Sequence, residues 1–291
     1  MIARPLSTGI QTMRARPGLA VLLWAVQLTL AWLIATPVGA AIDASFSESG
    51  FGDEPLNAVL LVDFFLQNRG VVASLLGMLV AVFPVWLVWS ALSGVGLAHA
   101  LRDGGARSFW TGASSWFWPG LGVTAIFALV ALVWTVVMAV LGLVLAAGGG
   151  GEVVVFWTSL VFVPTLWIFG LAAMDMMLDY ARIGLAARDL SVIKAVFFGV
   201  SFPLRRLSAH LLYVVWFGPA LLLAVGPAPL EAALGLGFLT FLIQQVLLLA
   251  RQFVTIGWIG SEVALHEEVL DSEWGAIAQA TATVSAFGAE G

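Results

Sequence analysis

Long apolar windows without any charged residue dominate this chain. No Asp, Glu, Lys or Arg occurs between Gly70 and Leu101, and the same is true of Ser108–Gly151, Val153–Met174 and Leu207–Leu230. About 20 apolar residues in a helix cross the hydrocarbon core of a bilayer, whereas a soluble domain cannot cover so much unbroken apolar surface. The pattern therefore predicts an all-α, polytopic transmembrane helix bundle.

The uncharged windows divide into about six predicted spans. They lie in a membrane domain over residues 18–262, which follows a cytoplasmic segment (1–17) and precedes an acidic cytoplasmic tail (263–291). The predicted spans cover about 18–40, 71–98, 119–147, 153–174, 208–225 and 232–250. The run of glycines from Gly148 to Gly151 is too flexible to continue a helix, so it predicts a hairpin turn between the third and fourth spans.

Shorter amphipathic segments flank these spans. The aromatic residues of Phe109–Trp118 predict an interfacial segment, because indole and phenyl rings settle at the level of the lipid headgroups. Pro55–Gln67 predicts a helix on the outer leaflet, and Phe253–Leu270 an amphipathic helix along the inner face. Another short helix is predicted over Val192–Ser201, ending before Pro203.

The distribution of basic residues predicts the orientation. Eleven of the 12 Lys and Arg residues precede the first span, follow the sixth, or fall in the loops after the second and fourth, and Arg69 alone lies on the other side. By the positive-inside rule, both termini are then cytoplasmic. The heavy use of Ala, Gly, Val, Arg and Trp is typical of a bacterial chain, which points to the bacterial inner membrane.

The start of the chain also permits a second interpretation. Basic residues, an apolar stretch and Val38-Gly39-Ala40 before Ala41 resemble a cleavable secretory signal. The apolar run is longer than the roughly 7–15 residues of such a signal, which favours a retained first span. Cleavage would leave an odd number of spans and an external N-terminus.

Composition excludes several classes of function. Only 10% of residues are charged, and the few basic ones are scattered, which argues against nucleic-acid binding. The absence of cysteine excludes disulfides, thiolate metal sites and cysteine nucleophiles. The sequence contains no Walker loop, nucleophile elbow or His-Glu-x-x-His motif, so we predict no cofactor and no catalytic residues.

A charged cluster is predicted where the fourth span ends. Asp175, Asp179 and Arg182 are spaced i, i+4 and i+7, so they share one helix face. Arg251 after the sixth span can pair with either carboxylate inside the bundle or extend to the lipid phosphates. One interpretation is a polar gate or docking cluster at the inner surface. The other is a helix end whose ion pairs satisfy each other at the headgroups, since charges at span ends are ordinary.

Other polar candidates are few. The glutamines inside the predicted spans are Gln27, Gln244 and Gln245, whose default role is hydrogen bonding between helices. The histidines are His99, His210 and His266, all on the predicted cytoplasmic side. Glu262 and His266 have a spacing that can present two ligands to one metal, but no His-x-x-x-His pair supports it, so no metal site is predicted.

Two motifs carry a resemblance to other proteins. Asp179-Tyr180-Ala181-Arg182 follows the fourth span, and Gln244-Gln245 is followed by Arg251 and by Trp258 with Glu262. In this layout the chain resembles uncharacterised bacterial six-span integral membrane proteins that have an Asp-x-x-Arg after the fourth span. The resemblance implies the topology and singles out Asp179 and Arg182, but it implies no activity.

Three functional hypotheses follow. The first is a non-catalytic accessory or scaffold component of a membrane assembly or of envelope organisation, contacting lipids, other membrane subunits or a cytoplasmic partner docked on residues 175–206. The alternative is a permease or transport subunit driven by a separate ATPase on the same surface. A third is a lipid-headgroup enzyme using His99 or His210. The predicted spans carry no charge near their middle, which argues against an ion-coupled transporter.

Overall fold

The chain is helical wherever its structure is described. A computed structural model describes residues 2–47, 69–103, 106–148, 151–225 and 237–288. The helices are α1 (Ala3–Ala15), α2 (Pro17–Ser47), α3 (Arg69–Asp103), α4 (Ala106–Ser115), α5 (Phe117–Ala147), α6 (Glu152–Val155), α7 (Val163–Arg188), α8 (Val192–Arg205), α9 (Leu207–Val225) and α10 (Gly237–Gly288), and a π-helical segment (Phe156–Phe162) joins α6 to α7. The predicted all-α class is confirmed for these residues.

Several helical segments are long and apolar enough to cross a membrane. Within the described ranges, five segments qualify, namely Val80–Arg102, Phe117–Ala147, Val153–Arg188, Leu207–Val225 and Phe238–Ser272. A sixth is added if α1 and the start of α2, which are bent by 74° at their junction, are counted as one span. The chain is therefore a multi-pass membrane protein, with five or six helices in its described part that are long and apolar enough to cross.

At one end of the bundle, arginine side chains donate hydrogen bonds to the last carbonyl groups of neighbouring helices. Arg16, between α1 and α2, donates hydrogen bonds to the carbonyls of Ala100 and of the next residue, in the last turn of α3. Arg102 donates to the carbonyls of Ala186 and Ala187 near the end of α7, each at 3.2 Å. The last carbonyls of a helix lack intrahelical partners and favour a nearby cation. We call this the basic end of the bundle.

Close approach between small residues attaches α1 to α10 at the same end. Gly9 is buried, and a Cβ atom added there would overlap the side chain of Ser261 and the carbonyl oxygen of Gly257. The N-terminal helix is thus part of the packed core, although the sequence indicated only a cytoplasmic segment there. In contrast, α5 and α9 expose large apolar side chains such as Leu143 (70% exposed) and Leu222 (75% exposed), as lipid-facing helices do.

Helices α7 and α10 differ from their predicted extent or position, because both bury charged or polar side chains inside the bundle. The fourth predicted span ends at Met174, yet α7 continues to Arg188. Phe253–Leu270 is predicted along the inner face, but in α10 it is packed into the bundle, with Ile256, Glu262 and His266 fully buried. The start of the predicted tail is therefore core rather than surface, and α10 runs on to Gly288.

The structure tests only some of the short elements predicted from the sequence. The prediction that the helix after Ser191 ends before Pro203 is wrong, because α8 runs to Arg205 with Pro203 buried in its last turn. Helix α4 covers most of the predicted interfacial segment, and Trp118 beside it is 75% exposed. The predicted outer-leaflet helix at Pro55–Gln67 and the centre of the predicted glycine turn lie outside the described residues.

Candidate functional site

The four residues predicted as a charged cluster line one cleft inside the bundle. The cleft has a volume of about 330 Å³ and is formed by α2, α3, α7, α9 and α10. Asp175, Asp179, Arg182 and Arg251 line it together with polar side chains from α2, α3 and α10. We call this cleft the charged cleft. At 1.5 Å per residue, Asp175 lies about 20 Å from the end of α7, so the charged cleft lies within the bundle rather than at a helix end.

Arg182 on α7, which lines this cleft, connects α7 to α3 and α5. Its Nη1 lies 3.6 Å from Oδ1 of Asp179, one turn earlier on α7. Its Nη2 donates to Oγ of Ser90 on α3 at 2.6 Å and to Oγ1 of Thr124 on α5 at 3.2 Å. Arg182 and Asp179 are only 7% and 8% exposed. The ion pair is therefore satisfied by protein groups and links α7 to α3 and α5.

A glycine makes room for the guanidinium group. A Cβ atom added to Gly94 on α3 would lie 2.5 Å from both Cδ and Nε of Arg182. Any other residue at this position would push the arginine side chain away from Ser90, which is one helical turn before Gly94. The close contact between α3 and α7 thus depends on the missing side chain at residue 94.

Asp175 and Arg251 lie at the accessible part of the charged cleft. Tyr213 on α9 donates a hydrogen bond from its hydroxyl to Oδ2 of Asp175 at 3.1 Å. Both Asp175 and Arg251 are exposed, and both line the cleft. Within the described residues, the guanidinium of Arg251 makes no hydrogen bond and no ion pair within 4 Å, although it is near enough to Asp175 for electrostatic attraction. The cleft therefore presents one carboxylate and one guanidinium that are accessible to a ligand.

Gln27 makes a hydrogen bond between helices, as predicted for a glutamine inside a span, but its partner was not predicted. The amide nitrogen of Gln252 on α10 donates to Oε1 of Gln27 on α2 at 2.8 Å. Gln252 is 3% exposed, whereas Gln27 is exposed in the cleft. Gln245 lines a neighbouring cleft of about 350 Å³ between α2 and α10, and Gln244 lines neither of the two.

An apolar groove continues from the charged cleft along α2 and α3. It has a volume of about 330 Å³ and shares Gln27, Trp86, Ser90 and Ser93 with the charged cleft. Its other lining residues are Leu30, Val82, Val85 and Trp89. A separate, wholly apolar cleft of about 500 Å³ shares Leu30, Val85 and Trp89 with this groove and is otherwise lined from another face of α3, by Pro84, Val88 and Leu92. The polar site is thus continuous with the groove along α2 and α3.

The three histidines lie on three helices, α3, α9 and α10. His266 is fully buried against the rings of Phe198 and Phe202, at centroid distances of 5.5 and 6.1 Å. Neither of its nitrogens has a hydrogen-bond partner in the described part of the chain. His99 packs against Gly112, and Nδ1 of His210 lies 3.3 Å from the carbonyl oxygen of Arg206. The described residues contain no group of three or more His, Asp or Glu side chains that could hold a metal ion.

Sequence reasoning missed the polar partners around the cleft. Ser90, Thr124 and Tyr213 contact the charged cluster, and Gln252 contacts Gln27, each from a different helix. One signal was present, because Ser90, Gly94 and Ala98 are spaced by four and place small residues along one face of α3. Such a face lets another membrane helix, or its side chains, approach closely.

Comparisons with known proteins give no further guide. No protein-family model, no curated protein and no solved structure matches this chain.

Proposed function

We propose that this protein is a non-catalytic component of the bacterial inner membrane, an accessory or scaffold subunit with cytoplasmic N- and C-termini. The single observation that carries the proposal is that charged side chains inside the bundle contact polar groups on other helices. Arg182 contacts Asp179 and two hydroxyl groups, and Asp175 contacts Tyr213, so these side chains hold four helices together. Side chains engaged in this way fix the arrangement of a bundle, which is the role expected of a structural component.

The orientation is supported by which groups share the basic end. The starts of α2 and α8 and the ends of α3 and α7 lie there with Arg16, Arg102 and Lys194. The contact of α1 with α10 at Gly9 brings the N-terminal helix to the same end. A basic end fits the cytoplasmic side of a membrane.

Helix α8 is the surface on which a partner subunit is proposed to dock. The first part of the predicted docking segment, residues 175–188, is mostly buried in the bundle, which leaves α8 accessible. Ile193, Phe197 and Leu204 are 67%, 71% and 65% exposed and lie on one face of α8. Lys194 and Arg205 flank this face and are exposed. An apolar face with a basic flank fits a protein partner that has an apolar patch with an acidic rim.

A photo-crosslinking amino acid at residue 197 tests the proposal in intact cells. We expect one discrete protein adduct at residue 197, and only lipid adducts at residue 222, which is an equally exposed apolar position on α9. Reversing the basic flank with Lys194→Glu and Arg205→Glu should abolish the adduct. Lipid adducts alone at residue 197, together with a monomer in mild detergent, would show that α8 lies among headgroups and would refute a docked subunit.

A permease subunit driven by a separate ATPase is the second candidate, because a charged cleft lies inside the bundle. The ATPase would then bind α8. Reconstitution with a candidate ATPase separates the two functions, since a transport subunit should stimulate ATP hydrolysis and an accessory subunit should not.

The third hypothesis, a lipid-headgroup enzyme, has less support, because His99 and His210 do not line the charged cleft. Alanine at both positions should leave a scaffold function unchanged.

A further inference from the structure

We infer that the charged cleft binds the headgroup of a zwitterionic phospholipid, phosphatidylethanolamine, while an acyl chain lies in the adjoining apolar groove. The inference concerns the interior of the bundle and does not depend on a partner at α8. It rests on the charges left accessible in the cleft, on the polar groups beside them and on the direction in which the cleft continues.

The accessible charges have the composition of a zwitterion. Asp179 and Arg182 are buried and paired with each other, so they compensate each other's charge. Asp175 and Arg251 remain, one of each sign, both exposed in the cleft. A guanidinium group binds phosphate oxygens through two parallel hydrogen bonds, and a carboxylate accepts hydrogen bonds from a primary ammonium group. Ethanolamine phosphate carries both groups.

The neighbouring polar atoms suit the same headgroup. Tyr213 occupies Oδ2 of Asp175, which leaves Oδ1 to accept from an ammonium group. Oε1 of Gln27 accepts from Gln252, so the amide nitrogen of Gln27 can donate to a phosphate oxygen in the cleft. A volume of about 330 Å³ equals roughly ten water molecules at liquid density, which is enough for one ethanolamine phosphate group.

The continuation of the cleft argues for a lipid rather than a soluble zwitterion. The path from the charged cleft runs between α2 and α3, past Trp86, into the groove lined by Leu30, Val82, Val85 and Trp89. Phe83 and Trp86 on this side of α3 are 46% and 48% exposed, as expected for a surface in contact with acyl chains. A soluble ligand would gain nothing from this apolar extension, whereas an acyl chain would be buried along it.

Native mass spectrometry of the detergent-purified full chain tests the inference. The protein is mixed with equal amounts of phosphatidylethanolamine and phosphatidylglycerol that carry the same acyl chains. We expect at least roughly tenfold preference for phosphatidylethanolamine, because phosphatidylglycerol lacks the ammonium group that Asp175 would bind. Arg251→Gln should weaken binding of both lipids, and Asp175→Asn should remove the preference. Lys194→Gln, which changes an exposed basic residue outside the cleft, is the matched control and should leave both results unchanged.

Several results would overturn the inference. Equal retention of the two lipids by the wild-type protein would exclude recognition of the ammonium group. An equal loss in the Lys194→Gln and Arg251→Gln variants would show only general attraction of phosphate to basic residues. Free ethanolamine phosphate that displaced the lipid at equal concentration would identify a soluble ligand. If a variant fails to fold, the wild-type preference and this competition still decide the matter, and neither depends on the crosslink at residue 197.

Discussion

Gly94 on α3 and Arg182 on α7 are in contact through the space that a side chain at residue 94 would fill. A Cβ atom there would lie 2.5 Å from Cδ and Nε of the arginine, closer than real Cβ contacts. The same arginine is held by Ser90 and Thr124, which limits its freedom to move aside. The position of α3 against α7 is therefore set by one glycine and one buried charge.

Gly94→Ala should destabilise the bundle. Added volume in a packed site typically costs about 1–3 kcal/mol, and here it would also disturb the hydrogen bond to Ser90. Thermal unfolding in detergent measures the effect. Gly77→Ala on the same helix is the control, because nothing lies within 4 Å of a Cβ atom added there, and it should be neutral or stabilising by up to about 1 kcal/mol. Equal effects of the two variants would contradict the proposed contact.

Asp179 and Arg182 should be energetically coupled. Arg182→Met leaves a buried carboxylate without its counter-charge, which typically costs about 3–5 kcal/mol. Combining it with Asp179→Asn should recover a large part of that loss, because the carboxylate is then neutral. A double-mutant cycle from unfolding measurements gives the coupling energy. Additive effects would show that the two side chains, 3.6 Å apart, do not stabilise each other.

Gly9→Leu should release α1 from α10. The new side chain would overlap Ser261 and the backbone of Gly257, and such overpacking typically costs about 1–3 kcal/mol. Trypsin cleavage after Arg14 should then become roughly tenfold faster, since proteolysis follows the population of the locally opened state. Ser7→Leu adds the same side chain at an exposed position of α1 and should not change the rate. Equal rates for both variants would refute the packing of α1.

His266→Phe should stabilise the protein. Both imidazole nitrogens are buried without a partner in the described residues, and an unsatisfied buried polar group typically costs about 1–3 kcal/mol. Phenylalanine keeps the ring contacts with Phe198 and Phe202. His210→Phe at an exposed site is the control and should change stability by less than about 0.5 kcal/mol. Marked destabilisation by His266→Phe would show that the imidazole binds a group such as water.

The proposed topology predicts opposite compartments for two reporter sites. A compartment-specific reporter inserted at Gly149 should report the outer side, and one fused after Gly291 the cytoplasm. The reason is the predicted excess of basic residues on the inner side of every span. Both reporters in one compartment would contradict the proposed orientation. Loss of a tag placed before Ala3 from the mature protein would instead support a cleaved signal and an odd number of spans.

The apolar windows predicted helices well where the helix is surrounded by lipid. Helix α9 (Leu207–Val225) differs by one residue from the predicted span, and α5 (Phe117–Ala147) begins two residues early. Helix α5 ends at Ala147, where the run of glycines begins, because glycines are too flexible to continue a helix. Local composition was sufficient there.

The same reasoning failed where charged residues lie inside the bundle. The predicted spans stop before Asp175 and Arg251, and the helices predicted beyond them were placed at the inner surface, whereas α7 and α10 carry both residues into the charged cleft. A charge looks like a boundary when only neighbours in the sequence are considered. Ser90, Thr124, Tyr213 and Gln252 satisfy the polar groups around the cleft, and they come from α3, α5, α9 and α10. No local pattern identifies such partners.

By itself, the sequence determined that this chain is an all-helical membrane protein and that Asp175, Asp179, Arg182 and Arg251 form its main charged set. Those properties follow from transfer of apolar side chains out of water and from helical periodicity, which depend on neighbours along the chain. Only the tertiary structure decided that these charges surround an interior cleft and that α1 packs on α10. Burial of a charge depends on partners brought together from distant helices, and those partners exist only once the bundle has formed.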